Sequence, residues 1–408
     1  MAQQHLDPTD PGTGLTTGPP AAPTAGPVSA ETLAGYLRAQ ATEFLRALRL
    51  HREAGAGTAS EGSVEASLAL RRSARRISGS LHTFQAVLDP GWSEAMRPEL
   101  AWVSGTLALE HACSARLERL LQALYRLSGT AALPAQGAAG TGPGGGAGGA
   151  ARSSAPAAVA VRGEAASPTA RTGSTGTGPT TAPERGSLTV GAAKAGALLD
   201  RQLTLARTRA HSTALQALGS SRFHAVADKV AVLASEVPLV PGAGGADLRP
   251  PAEAARERLV DAVAALPLLT AGSPYNAEAL VHGLSPDLAP HPQDAPWHQV
   301  RLLLRLHRYA REALHHTTAG ADGTAPVPES AATAPPPDVR LLAAGEALDR
   351  HRDASEASAA AANAARTPRI APATAYALGV LHADQRHEVE AARYAFQLSW
   401  QKDVLGSP

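Results

Sequence analysis

The chain has 408 residues, of which 44% are hydrophobic and only 3% aromatic, and its formal net charge at pH 7 is +1. A charge this close to zero excludes a uniformly basic nucleic-acid binder and an acidic tail protein, so a strong electrostatic site must come from local clustering. Because alanine, leucine and valine supply much of the hydrophobic content, the composition favours packed helices over sheets.

The features that report on cellular compartment favour the cytoplasm. Cys113 is the only cysteine, which excludes an intramolecular disulfide bond and suits a reducing environment. The first residues show no basic segment followed by an apolar run, so we expect no signal peptide. No stretch reaches about 18 uninterrupted apolar residues, so we expect no membrane span.

Three low-complexity segments, at residues 1–28, 130–187 and 317–338, interrupt the sequence. None can bury enough apolar surface to offset the entropy lost on ordering, so we expect them to be disordered. The glycine run within 130–187 lacks the GK[ST] ending of a phosphate-binding loop and is interpreted as a linker. The predicted organisation is a disordered tail at 1–28 and a single domain at 29–408, with a first half at 29–129, an insertion at 130–187 and the remainder at 188–402.

Between these segments the apolar residues recur with the 3.6-residue period of amphipathic helices. Asp89-Pro90 and Pro372 are typical of helix starts. No run of alternating apolar and polar residues predicts a strand, so the predicted fold class is all-α. The predicted helices cover residues 30–53, 64–88, 92–128, 191–218, 221–234, 251–265, 296–316, 339–363 and 371–402.

Two predicted helices carry stripes of basic residues. At 100° per residue, the basic side chains of the helix at 296–316 fall within about a quarter-turn, opposite a leucine-rich face. In the helix at 64–88, three basic residues share one face and two more flank it. In the helix at 296–316 the stripe consists of His298, Arg301, Arg305, Arg308 and His315. In the helix at 64–88 it consists of Arg71, Arg75 and His82, flanked by Arg72 and Arg76.

The two stripes lie in similar sequence contexts. "LALRRSARRISGSL" superposes on "HQVRLLLRLHRYAR", which pairs Arg71 with Arg301 and Arg75 with Arg305. Each stretch is followed by a helix in which a leucine precedes a basic residue by four positions. Those basic residues are His111 and Arg352. The pattern supports an internally duplicated helical unit.

Two basic stripes brought together would repel unless an anion lay between them. The alternative is that both are ordinary solvated faces with salt bridges to acids elsewhere. Nucleic acid would normally be bound with stacking aromatics, which are scattered here, whereas a phosphate chain without bases needs only charge and forked donors.

Several stretches resemble the CHAD family, named for a conserved histidine α-helical domain. They are "SLALRRSARRISGSLHTFQAVLDPGW" with "ELAWVSGTL", "WHQVRLLLRLHRYAREAL" with "ALDRHRDA", and "YALGVLHADQR". The resemblance implies two pseudo-symmetric four-helix bundles related by internal duplication, with basic faces along a central cleft that binds inorganic polyphosphate. Some relatives carry a fused triphosphate-tunnel domain, but this sequence has no acidic-strand segment of that kind.

The stripes and the resemblance together predict a polyphosphate-binding site with contributions from both halves. Its histidines are expected to add hydrogen bonds that strengthen on protonation. The predicted site residues are Arg71, Arg72, Arg75, Arg76, His82, His111, His298, Arg301, Arg305, Arg308, Tyr309, His351 and Arg352.

The sequence departs from the family pattern at positions that are usually polar or basic. Leu68 and Ser78 reduce the number of polar or basic side chains in the first half of the site, and Leu302 and Leu306 do so in the second half. These departures leave two hypotheses open. The leading one is a non-enzymatic, cytoplasmic polyphosphate-binding protein, associated with polyphosphate granules. The other is a helical scaffold for a protein partner that has lost polyphosphate binding.

Enzymatic interpretations find little support. Glu312-x-x-His315 has the spacing of a carboxylate-bridged metal bundle, which requires further inward-facing carboxylates. Arg308 and Arg311 flank Glu312 and offer simpler partners for it. No Ser/His/Asp or Cys/His constellation is visible. We therefore expect no catalysis, metal, cofactor, specific nucleic acid or membrane association.

Overall fold

The computed structural model of the chain describes residues 28–55, 60–129, 182–268, 271–277, 280–281, 284, 292–316 and 339–401. Within these ranges the regular structure is helical and no strand forms, which confirms the all-α prediction. Nine α-helices are described: α1 Ala30–Gly55, α2 Ser60–Thr83, α3 Pro90–Ser128, α4 Ala182–Leu218, α5 Ser221–Ser235, α6 Arg249–Ala264, α7 Ala295–Leu314, α8 Val339–Ala365 and α9 Pro372–Gln401.

Helix starts follow local sequence signals. Asp89 caps α3, because its side chain accepts a hydrogen bond of 2.7 Å from the backbone N–H of Trp92, and Pro90 occupies the first turn. Ser220 caps α5 by accepting a hydrogen bond from the backbone N–H of Phe223. The long helix α3 ends at Gly129, whose φ of 68° is the left-handed conformation that glycine adopts without strain.

Three hydrophobic cores hold the helices together. The first joins α1, α2, the N-terminal half of α3 and α5, with Phe44, Phe84 and Phe223 among its fully buried side chains. The second joins the C-terminal half of α3 to α4, α8 and α9 and consists of alanine and leucine. The third joins α6, α7, α8 and α9 around Trp297 and Phe396. The alanine-rich, aromatic-poor composition therefore produces the close helix packing that the sequence predicts.

Some predicted boundaries differ from the structure. Helix α4 begins at Ala182, inside the segment predicted as a disordered linker. Helix α2 ends at Thr83, and a short 3₁₀ helix, Gln85–Val87, follows it because Leu88 turns into an extended bridge with Leu239. The other predicted low-complexity residues, at 1–27, 130–181 and 317–338, lie outside the described residues. The internal duplication stays a prediction.

A buried charged cluster anchors the start of α7 against α8 and α9. Asp294, which is fully buried, accepts hydrogen bonds from Arg386 and Arg393 of α9 and from Ser355 of α8. Burial alone would raise the pKa of Asp294, but the hydrogen bonds and charge of Arg386 hold it well below its usual range. The cluster therefore fixes where α7 begins and, with it, the position of the arginines along α7.

None of the helices in the described part of the chain is both long enough and apolar enough to cross a membrane.

Candidate functional site

Helices α2 and α7 approach each other closely at one glycine. A Cβ atom placed on Gly79 of α2 would lie 2.6 Å from Cδ2 of Tyr309 and 3.3 Å from a methyl group of Leu306, both on α7. Any larger residue would therefore push the two helices apart. The close crossing brings the basic stripe of α2 to the basic stripe of α7, as the sequence predicts.

A first cavity of about 400 Å³ lies where α2, α3, α7 and α8 meet. Each helix contributes basic side chains, and the α8 wall also contributes three carboxylates, those of Asp349, Asp353 and Glu356. The basic residues lining this cavity are Arg71, Arg75, His111, Arg116, Arg119, Arg301 and Arg352.

A second cavity of about 390 Å³ adjoins the first, and Arg75 lines both. It lies between α2, α3 and α7, and none of the described residues that line it carries a carboxylate. Its charged and hydroxyl-bearing lining residues are Arg75, His82, Arg97, Arg305, Ser78, Ser104 and Tyr309. The two cavities, which share Arg75, are together called the arginine cleft.

The arginines of the cleft are close enough to destabilise one another as cations. Burial, followed by the charges of Arg71 and other arginines, lowers the pKa of Arg75 to about 10. Burial and the charges of Arg301 and Arg75 lower the pKa of Arg305 to about 10. Both remain cations at neutral pH, so their mutual repulsion is a cost of folding that a bound anion would relieve.

Several polar groups in the cleft have no partner among the described residues. In the described part of the chain, Arg75 and Arg305 form no salt bridge. Nε of Arg71 and Nδ1 of His82 are buried and have no hydrogen-bond partner among the described residues. Buried polar atoms are normally paired, so these two atoms are available to hydrogen-bond a ligand or water in the cleft.

The carboxylates of α8 neutralise part of the first cavity. Arg301 forms a salt bridge with Asp349, and Glu356 accepts hydrogen bonds from Arg116 and from Arg352, the latter at 2.7 Å. Burial, together with Glu356 and Asp349, raises the pKa of Asp353. The first cavity is therefore a mixed-charge surface, whereas the charged side chains among the described lining residues of the second are all basic.

Eight of the thirteen predicted site residues line the arginine cleft, which brings together side chains from α2, α3, α7 and α8. They are Arg71, Arg75, His82, His111, Arg301, Arg305, Tyr309 and Arg352.

The other five predicted site residues lie outside the cavity linings. Arg72 is exposed on α2, and Arg76 forms a salt bridge of 2.7 Å with Glu312, which also accepts a hydrogen bond from the Tyr36 hydroxyl. Arg308 lies against α8, where a Cβ atom on Gly345 would be 3.5 Å from its Nη1 atom. The remaining two, His298 and His351, pack against each other.

The predicted histidines differ in their distance from the cleft and in their burial. His351 is 1% exposed, stacks on Trp297 and accepts a hydrogen bond from Arg393, so it belongs to the buried cluster around Asp294 and reaches neither cavity. Burial lowers the pKa of His82 and His298, and lowers that of His351 furthest, with a further contribution from Arg393. The expectation that protonated histidines strengthen binding is therefore disfavoured near neutral pH.

Helix α3 supplies a part of the site that was largely unpredicted. Arg97, Arg116 and Arg119 line the cleft, and only His111 of this helix was predicted. The signal was present, because Arg97, Ala101, Ser104, His111, Ala115 and Arg119 follow one another at helical spacing along one face.

The Glu312-x-x-His315 pattern does not form a metal site. Glu312 is occupied by Arg76 and Tyr36, whereas His315 lines a different cavity on the far side of α7. Across the described ranges, no group of three or more His, Cys, Asp or Glu side chains is arranged to hold a metal ion.

Comparison with known proteins places this geometry in a family. A family model described as CHAD domain matches residues 39–362. Among solved structures, PptA from Streptomyces chartreusis is similar at 62% sequence identity with a TM-score of 0.66, and the similarity covers 92% of this chain and 100% of that one. No curated protein matches the chain.

Proposed function

The chain belongs to the CHAD domain family, and from this premise we propose that it binds inorganic polyphosphate, or a similar polyanion, without catalysing a reaction. The observation that carries the proposal is the convergence of Arg71 and Arg75 of α2 with Arg301 and Arg305 of α7 on a single cleft. Like charges are held together there at a cost that an anionic ligand would offset.

The shape of the cleft suits a chain of phosphates rather than one isolated group. Two cavities of similar volume share Arg75, so successive phosphates of one ligand could occupy both. Arginine presents a planar fork of donors that matches phosphate oxygens, and the orphaned Nε of Arg71 is one such donor. We propose that the second cavity, which has no carboxylate among its described lining residues, binds the ligand more strongly than the first.

The lining of the cleft disfavours nucleic acid as the ligand. Binding of single strands uses aromatic platforms for base stacking, and Tyr309 is the one tyrosine, tryptophan or phenylalanine among the described residues that line the two cavities. A polyphosphate chain carries charge without bases and requires no such platform.

Within the cell, we place the protein in the cytoplasm, associated with polyphosphate granules.

A specific observation favours the alternative of a protein-interaction scaffold that has lost the ligand. Asp349 and Glu356 already bind Arg301, Arg116 and Arg352, so part of the first cavity is satisfied internally. Under this alternative, the protein would retain a partner in affinity capture and added polyphosphate would not compete with that partner.

Titration of the full chain with long-chain polyphosphate at several salt concentrations tests the proposal. Release of counterions on neutralising about five phosphates predicts an affinity loss of roughly 10²-fold between about 50 and 200 mM salt. Absence of binding at low salt would contradict the proposal and favour the scaffold. Binding that is insensitive to salt would contradict the arginine-based mechanism.

A further inference from the structure

A third and larger cavity, of about 680 Å³, lies on the far side of α7 from the arginine cleft. It is bounded by α6, α7, the start of α8 and the end of α9. It shares no lining residue with the first two cavities, because α7 presents Arg301 and Arg305 on one side and His307 and Arg311 on the other. The third cavity is therefore a separate site.

Most polar side chains of the third cavity are basic, and one of them, Arg249, forms a salt bridge of 3.0 Å with Asp247. Four arginines and two histidines line it, against a single carboxylate, Glu253, among the described lining residues. Glu253 forms a salt bridge with Arg256, and the hydrogen bond from Arg256 lowers the pKa of Glu253. The basic lining residues are Arg249, Arg256, Arg311, Arg340, His307 and His315.

The remaining wall of the third cavity is apolar. Leu259 lies at its buried side and Val260, 42% exposed, lies at its open side. Trp400 also lines it and is held in place by stacking on the core residue Phe396, with ring centroids 5.7 Å apart. The apolar lining of the arginine cleft consists of Leu302, Leu306 and small residues, with no tryptophan among its described lining residues, so the two sites differ in the chemistry that they offer.

We propose that the third cavity binds an organic anion, a small molecule with one phosphate, sulfonate or carboxylate group and an apolar body. The arginines would hold the anionic group, and the wall of Leu259, Val260 and Trp400 would cover the apolar body. The volume lies within the range of about 300–1,000 Å³ that is usual for small-molecule sites. An inorganic polyanion would leave the apolar wall uncovered. The site therefore fits a ligand that has an apolar part as well as an anionic group.

A series of simple probes tests the two halves of the proposal. The full chain would be titrated calorimetrically with octyl phosphate, phenyl phosphate, inorganic phosphate and octanol. We expect octyl or phenyl phosphate to bind at least about tenfold more tightly than inorganic phosphate or octanol, because only they satisfy both walls. The comparison of octyl with phenyl phosphate distinguishes an aliphatic from an aromatic body. Equal binding of inorganic phosphate would overturn the proposal.

Matched variants locate the site. Val260→Asp places a negative charge on the apolar wall, and Val232→Asp places one on an exposed valine of α5 that lines none of the described cavities. We expect Val260→Asp to weaken binding of the tighter of the two organic phosphates by about tenfold or more and Val232→Asp to leave it unchanged. The same contrast is expected between Arg340→Ala and Arg350→Ala, both on α8.

Three outcomes would contradict the site assignment. Equal affinity in Val260→Asp and Val232→Asp would place the organic phosphate elsewhere. Displacement of octyl phosphate by long-chain polyphosphate in the unmodified protein would make the third cavity part of the polyanion site. Self-association that Val260→Asp abolishes, measured by sedimentation, would assign the cavity to a second copy of the chain instead.

Discussion

Gly79 of α2 faces Tyr309 of α7 so closely that a Cβ atom on the glycine would lie 2.6 Å from the ring carbon Cδ2. This contact sets the distance between the two arginine-bearing helices. Arg75 lies one turn before Gly79, and Arg305 lies one turn before Tyr309, so the approach of the backbones forces the two guanidinium groups into one cavity. Close packing at Gly79 is therefore compatible with the juxtaposition of Arg75 and Arg305 in the second cavity.

We expect Gly79→Ala to destabilise the protein and weaken polyphosphate binding. The added methyl group overpacks the helix crossing, at a cost of about 1–3 kcal/mol, which outweighs the gain of about 1 kcal/mol from higher helix propensity. Gly105→Ala in α3 is the matched control, since its Cβ atom would meet no other atom within 4 Å. Urea unfolding should show net stabilisation for Gly105→Ala. Net stabilisation by Gly79→Ala as well would show that the side chains facing Gly79 move aside without a loss of stability.

We expect Leu302→Arg to strengthen polyphosphate binding. Leu302 lines the second cavity and is 43% exposed, so an added guanidinium group reaches the ligand without full burial. The slope of log affinity against log salt should steepen by about 0.7–0.9, which corresponds to one more neutralised phosphate. Leu398→Arg in α9, at a site that is 44% exposed and lines none of the described cavities, should leave the slope unchanged. An equal change in both variants would indicate a general charge effect.

We expect Asp353→Asn to raise polyphosphate affinity at neutral pH by about threefold to tenfold, the effect of removing one partly buried repulsive charge. The pKa of Asp353 is raised by burial, so in the unmodified protein affinity should rise as pH falls and this carboxylate becomes protonated. His82 and His298, with lowered pKa values, contribute in the same direction.

Titrations across acidic pH distinguish the contribution of Asp353 from that of the histidines. Asp353→Asn should show a weaker pH response than the unmodified protein. Asp228→Asn, at an exposed position of α5, should retain the full response. An unchanged pH profile in Asp353→Asn would assign the response to the histidines alone.

We expect Asp294→Asn to destabilise the protein by about 3–5 kcal/mol, because Arg386 and Arg393 would lose their buried counterion. The folded-state pKa of Asp294 is depressed, so its stabilising contribution is present above the usual value of 3.8 and is lost as pH falls below it. Urea unfolding at several pH values measures both effects. Asp261→Asn, at an exposed position of α6, is the control. A loss below about 1 kcal/mol would contradict the anchoring role of the cluster.

Much of the fold was predictable because helical periodicity and caps are local properties of the sequence. The bounds of α7 and α8 were predicted to within a few residues, whereas α4 begins at Ala182 and not at residue 191. The early start lies in a segment whose Gly-, Thr- and Pro-rich composition is typical of a linker.

The site was predictable only where a stripe of charge occupied one face of a single helix. The pattern identified the arginines of α2 and α7, whereas their convergence on one cleft was implied only by the family resemblance. The burial of His351 could not be predicted, because α8 is rich in alanine on all sides and its sequence does not indicate which face meets α9. The third cavity was not foreseen, since its walls come from four helices and only the fold brings Arg256, Arg340 and Trp400 together.

The central claim is that Arg75, which lines both cavities, binds a polyanion, and one paired titration tests it most directly. Arg75→Ala and Arg72→Ala remove the same charge from neighbouring positions of α2, but Arg72 is exposed and lines none of the described cavities. We expect Arg75→Ala to weaken the affinity for long-chain polyphosphate by about tenfold or more, and Arg72→Ala to change that affinity by less than about threefold. Equal affinities in the two variants would contradict the account.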